Sequence, residues 1–123
     1  MMRIIHPPAP TEYPAYSSMY IDLVPTDGYI LRHFQQNLHE FKSFIYNLPK
    51  EKLLYRYAEE KWTIKEIILH LIDDERIYAY RALSYARNDQ TPLPGFAEEL
   101  YAQYSEANKR SLDSLFEEYE SVR

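Results

Sequence analysis

One long uninterrupted helical segment constrains this chain more than any other feature. Thr63, followed three residues later by Glu66, forms the capping-box pattern that begins an α-helix. The sequence then continues to Asn88 without a proline or a glycine, and the breaker-rich segment 91–96 follows. The pattern therefore predicts a helix over residues 63–88.

Two further segments carry helical periodicity. In residues 26–48 the apolar residues recur at alternating spacings of three and four, and Pro49 ends the pattern. The third segment covers about 102–123. Residues 1–25 hold five of the eight prolines, and proline fixes φ and lacks an N–H, so this part is predicted to be an extended arm. The length suits one all-α domain over 1–123, and three long helices in this order favour a four-helix bundle that lacks its fourth helix.

Composition excludes several classes of function. The net charge is −5 and the lysines and arginines form no stripe, so no nucleic-acid partner is expected. The chain has no cysteine, which excludes disulfides and thiolate ligands. No apolar run reaches the ~20 residues that a membrane span needs, so no membrane partner is expected. Residues 1–10 lack the apolar core of a signal peptide, which predicts a cytoplasmic protein.

The predicted helix 63–88 also carries the candidate chemistry. On a helical wheel Ile68, Leu71 and Tyr78 fall on the core face and Leu69 points away. His70 and Asp74 lie on the edge of that face together with Arg81, and Glu75 falls near its middle. A carboxylate that faces a core is costly unless it is paired or bound to a metal.

The wheel leaves three interpretations of this cluster open. His70 is a metal ligand, or His70, Asp74 and Arg81 form a structural polar network, or all three are a solvated edge. A metal site needs about three protein ligands, and the sequence contains no HxxxH or HExxH pattern that would supply them.

The segment Lys61–Leu83 resembles the signature helix of the DinB-like superfamily, which includes the YfiT-type proteins. Segment 91–96 is similar to the loop that follows that helix in the family. Residues 20–25 and 108–112 resemble the segments before its first helix and at the start of its third.

The resemblance implies a four-helix bundle, commonly dimeric, that binds one divalent metal, Zn or Ni, through three histidines. The first of them lies in a Trp-x₇-His pattern, which here places Trp62 before His70. The other two lie in an HxxxH pattern on a fourth helix. Some relatives are thiol-dependent S-transferases that use bacillithiol or mycothiol, and others resemble amidohydrolases. Asp74 or Glu75 would then orient His70 or act as a catalytic base.

The sequence departs from the family pattern because the fourth helix and its two histidines are absent. We expect a fragment of a longer protein rather than a natural short form, with weak or no metal binding and no activity in this chain alone. The first hypothesis for the intact protein is a homodimeric, metal-dependent transferase or hydrolase acting on a small molecule. The alternative is a non-catalytic interaction or dimerisation module, whose exposed groove has these candidate residues: Leu31, Phe34, Leu38, Leu112, Leu115 and Phe116.

Overall fold

The computed structural model describes residues 3–123, so Met1 and Met2, the first residues of the predicted arm, lie outside the described part. Over residues 3–123 the chain forms five α-helices and no β-strand, which confirms the all-α prediction. The helices are α1 (Ser18–Ile21), α2 (Ile30–Tyr46), α3 (Ile64–Ala86), α4 (Glu98–Tyr104) and α5 (Leu112–Val122). The backbone groups into two compact units, one ending at Tyr46 and one beginning at Asn47.

The prediction of a wholly extended arm is wrong in its second half. A 3₁₀ turn covers Ala15–Ser17 and leads directly into the single helical turn of α1. No proline lies between Pro14 and Pro25, so every backbone amide of this stretch can donate. The Ser18 hydroxyl also donates to the Ala15 carbonyl at 2.8 Å, which closes the turn.

The predicted helix 26–48 is shorter at both ends in the structure. Asp27 Oδ1 accepts a hydrogen bond from the Tyr29 amide at 2.9 Å, and α2 begins only at Ile30. Gly28 explains the late start, because its φ of +80° is not helical. A side chain at this position would also collide with Ile4, whose Cγ2 would lie 2.6 Å from an added Cβ.

The capping box at the start of α3 is confirmed. The Thr63 hydroxyl accepts from the Glu66 amide at 3.1 Å, and Glu66 Oε2 accepts from the Thr63 amide at 2.7 Å. Both residues are buried. Arg87 caps the end of the helix, and Asn88 follows it with a φ of 54°, a left-handed conformation that asparagine tolerates.

The core of the second unit lies where α3 packs against α4 and α5. Ile68 and Ile72 of α3 are fully buried, as are Leu115 and Phe116 of α5. The wheel assigned the faces of α3 incorrectly at several positions: Leu69 is buried, whereas Tyr78 is 60% exposed and Ala79, Ala82 and Ala86 are also exposed. The reason is that the wheel centred the core face on Ile64. In the structure the buried face of the first half of α3 includes both Ile68 and Leu69.

The predicted single helix over about 102–123 is also wrong, because the chain divides there into α4 and α5. Glu106 has a φ of 52°, and a 3₁₀ turn at Ala107–Lys109 follows it. The Ser111 hydroxyl then caps α5 by accepting from the Ser114 amide at 3.1 Å. The break brings Asn108 to the capping box, where its amide nitrogen donates to Glu66 Oε1 at 2.9 Å.

No helix in the described part is long and apolar enough to cross a membrane.

Candidate functional site

Two aromatic rings flank the imidazole of His70 in the second unit. The Trp62 ring centroid lies 4.7 Å from that of His70, and the ring of Phe96 stacks at 6.4 Å with an angle of 23°. Trp62 immediately precedes Thr63, the N-cap of α3, and Phe96 lies in the loop after α3. The His70 side chain is only 18% exposed, so packing against neighbouring side chains fixes the position of its ring.

Asp74 lies one helical turn after His70 and contacts it directly. Its Oδ2 is 3.2 Å from His70 Nε2. Burial raises the pKa of the Asp74 carboxyl, and the nearby carboxylates of Glu98 and Glu75 raise it further. His70 and Arg81 act in the opposite direction. Asp74 is therefore a half-buried acid that holds its proton to a higher pH than a solvated aspartate.

Trp62 is itself fixed by a polar contact. Its indole Nε1–H donates to Glu99 Oε2 at 2.9 Å, and Glu99 belongs to the first turn of α4. This hydrogen bond connects the start of α4 to the residue that packs on His70. Two segments distant in sequence therefore hold the imidazole in one position.

Glu75 forms a different contact, with the end of α5. Its carboxylate pairs with the guanidinium of Arg123, and both side chains are largely buried. Arg123 also donates to the Tyr119 hydroxyl at 3.4 Å. Burial raises the pKa of Tyr119, an effect that Arg123 opposes. Glu75 is therefore held in an ion pair, whereas Asp74 contacts the imidazole.

A family model described as the DinB superfamily matches residues 33–123. The chain belongs to the DinB superfamily. No curated protein and no solved structure matched it. The matched range includes α3, α4 and α5 completely, so the His70 site lies entirely within the matched part of this DinB protein.

The family resemblance implies a bound metal, so the question is whether the side chains of this DinB protein could hold one. Within residues 3–123, no group of three or more histidine, cysteine, aspartate or glutamate side chains is placed to hold a metal ion. His33 is engaged elsewhere, with its Nε2 2.9 Å from Asp27 Oδ2, and His39 is exposed on α2. His70 and Asp74 alone therefore do not make a metal site, which needs about three protein ligands.

Phe96 and Glu99 of the His70 site were missed in the sequence, as was Arg123, which pairs with Glu75. Phe96 follows a loop with two prolines, and no periodicity relates a loop position to a helix face. No motif or helical spacing singles out Glu99 or Arg123 in the sequence. Only the path of the backbone after Asn88 brings them to α3.

Proposed function

We propose that the intact protein is a divalent-metal-dependent transferase of the thiol S-transferase type, or a hydrolase, that acts on a small molecule. His70 is proposed as one ligand of the metal, Zn or Ni. The observation that carries this proposal is the immobilised imidazole of His70, held between Trp62 and Phe96 with Asp74 at 3.2 Å. Neighbours that fix the orientation of a histidine are typical of ligand positions.

Asp74 is proposed to orient His70 and to exchange a proton with the substrate. Its carboxyl lies against the imidazole, and burial raises its pKa, so it can exist in both protonation states closer to neutral pH than a solvated aspartate can. A catalytic role for Glu75 has weaker support than one for Asp74, because the Arg123 guanidinium forms an ion pair with Glu75. We propose that Glu75 acts as a positioning group for the end of α5.

The proposal requires metal ligands from outside residues 3–123. A longer form of the protein would supply them on a further helix, or a second copy of the chain would supply them in a homodimer. Within residues 3–123, His70 and Asp74 do not complete a coordination shell.

Metal content tests the proposal. After the intact protein is loaded with Zn²⁺ or Ni²⁺ and desalted, the His70→Ala variant should retain clearly less metal per chain than the wild type. His39→Ala is the matched control, because His39 is exposed on α2. Equal metal content in the His70→Ala variant and the wild type would refute the assignment of His70 as a ligand.

A second candidate function is the non-catalytic interaction module. It is favoured by the large apolar side chains that the end of α3 leaves exposed, with Tyr78 60%, Leu83 50% and Tyr85 77% accessible. Three of the groove residues expected from the sequence are not exposed, because Leu38 is buried and Leu115 and Phe116 are fully buried. Light scattering distinguishes this candidate: a folded chain that stays at 14.8 kDa at all concentrations counts against self-association.

A further inference from the structure

We propose that the second unit has a separate binding site for a small carboxylate with a flat apolar body, located in a pocket between the second half of α3 and the loop that follows it. This loop pocket has a volume of about 310 Å³ and is lined by α3 residues 76, 77, 80 and 81, loop residues 93–96, and Tyr101 of α4. Phe96 borders both this pocket and His70, but neither His70 nor Asp74 lines the pocket, so the inference goes beyond the proposed function.

The walls of the loop pocket are mostly apolar and aromatic. Ile77 lies on α3, Pro94 and Phe96 on the loop, and Tyr101 on α4. The rings of Phe96 and Tyr101 pack at a centroid distance of 5.3 Å, tilted by 58°. The volume is at the lower end of the range of about 300–1,000 Å³ that small-molecule sites occupy. A single aromatic ring suits such a space better than an extended chain does.

Among residues 3–123, the charged residues that line the loop pocket are two arginines, Arg76 and Arg81. Arg81 is held in place, because its Nη2 donates to the Pro94 carbonyl at 3.1 Å and its guanidinium lies 5.1 Å from the ring centroid of Tyr78. A guanidinium carries five N–H donors, and the bond to Pro94 uses one of them. Arg81 can therefore still bind a carboxylate in the two-pronged geometry that arginine favours.

Arg76 adds a weaker positive charge at the edge of the loop pocket. It is 49% exposed and pairs with Glu118 Oε1 at 2.9 Å. Glu118 also pairs with Arg110, so it is shared between two guanidinium groups, and the Asp73 carboxylate also interacts with the charge of Arg76. The carboxylate of Asp74 is close enough to Arg81 to respond to its charge. The charged groups that line the pocket are positive, so it favours an anion over a cation, and the nearby carboxylates of Asp73 and Asp74 keep the affinity modest.

Phenylacetate is a suitable probe, and its uncharged analogue phenylacetamide is the matched control ligand. The chain has only two glycines, Gly28 and Gly95, and one tryptophan, Trp62. An added Cβ at Gly95 would meet nothing within 4 Å, so the Gly95→Ala variant assigns its amide signal without disturbing the fold. In ¹⁵N-correlated NMR spectra Gly95 reports on the loop pocket, Gly28 on the first unit, and the Trp62 indole on the His70 site.

The titration is done in EDTA, so that the result does not depend on metal binding at His70. We expect phenylacetate to shift the Gly95 amide saturably, with small changes at Gly28 and at the Trp62 indole. Phenylacetamide should bind at least about tenfold more weakly, because it lacks the charge-assisted hydrogen bonds.

Variants locate the anion contact. Arg81→Gln should weaken phenylacetate binding about tenfold or more, and Arg76→Gln should weaken it by a smaller factor. Arg87→Gln is the matched control, because Arg87 is an exposed residue at the end of α3 that does not line the pocket. Arg76→Gln keeps the test valid if the loss of the Arg81 bond to Pro94 unfolds the loop.

Three results would overturn the proposal. The first is the absence of a saturable Gly95 shift in the wild type. The second is equal affinity for phenylacetate and phenylacetamide. The third is unchanged affinity in folded Arg81→Gln and Arg76→Gln variants. A failure of the metal proposal at His70 changes none of these measurements, so the two proposals fail separately.

Discussion

Asp73, the neighbour of Asp74 on α3, is a half-buried carboxylate whose ionisation opposes folding. Burial raises its pKa above the ordinary value of 3.8, and the nearby Glu118 raises it further, whereas Arg76 lowers it. Below pH 3.8 the carboxyl is protonated in both the folded and the unfolded chain. As the pH rises, ionisation of Asp73 is less favourable in the folded chain than in the unfolded chain, so it lowers the free energy of unfolding.

The first prediction follows from that sign. Asp73→Asn should raise the melting temperature at about pH 7, and the gain should disappear as the pH falls towards about 3. Calorimetry or circular dichroism at a series of pH values measures it.

Asp89 provides a control of opposite sign. Backbone and side-chain hydrogen bonds from Thr91 lower the pKa of Asp89, so its charge contributes stability above pH 3.8 that is lost as the pH falls through the folded pKa. Asp89→Asn should therefore lower the melting temperature at about pH 7. A gain from Asp73→Asn that does not change with pH would contradict the role assigned to its charge.

The start of α3 connects three segments of the second unit. Thr63 caps the helix, and its hydroxyl also donates to Asn108 Oδ1 at 2.6 Å. Arg56 pairs with Glu66 at 3.0 Å. The polar groups buried at this helix end therefore have partners from before and after α3.

The second prediction concerns this cap. Thr63→Ala removes the acceptor for the Glu66 amide and the donor to Asn108, and should lower the free energy of unfolding by about 1–2 kcal/mol. Urea denaturation measures the change. Thr11→Ala, at an exposed turn of the arm, should stay within about 0.5 kcal/mol of the wild type. A comparable loss for the two variants would show that the cap has no special role.

The capping box and α3 were readable from the sequence because their determinants are local. Thr63 and Glu66 lie three residues apart, and the helix that they begin contains no proline or glycine. The division of the last helix was not readable, because the left-handed residue is Glu106, a residue type with no preference for that conformation. The division of the helix is explained by the contact of Asn108 with Glu66, which lies 42 residues earlier in the sequence.

The same distinction holds for the candidate site. His70 and Asp74 were paired correctly on one helix edge, since residues four apart on a helix are neighbours. Arg81 was expected beside them, and its charge does act on Asp74, although the hydrogen bond of its guanidinium goes to the Pro94 carbonyl. Phe96 and Glu99 come from the loop and from α4, whose approach to α3 depends on packing over the whole unit.

At the scale of the whole molecule, the chain belongs to the DinB superfamily and has an all-α fold, and no group of three metal-binding side chains lies together within residues 3–123. His70 is fixed in place, yet it has too few neighbouring donor groups to hold a metal tightly. The account therefore predicts weak metal binding in this chain that nevertheless depends on His70.

The fluorescence of Trp62 measures this dependence directly. Trp62 is the only tryptophan, and its ring centroid lies 4.7 Å from that of His70, so Ni²⁺ bound at His70 should quench its emission. Titration with Ni²⁺ should quench the wild type and the His39→Ala control saturably and with the same midpoint. In His70→Ala the midpoint should rise by at least about tenfold. Saturable quenching of His70→Ala with an unchanged midpoint would contradict the assignment of His70 as a metal ligand.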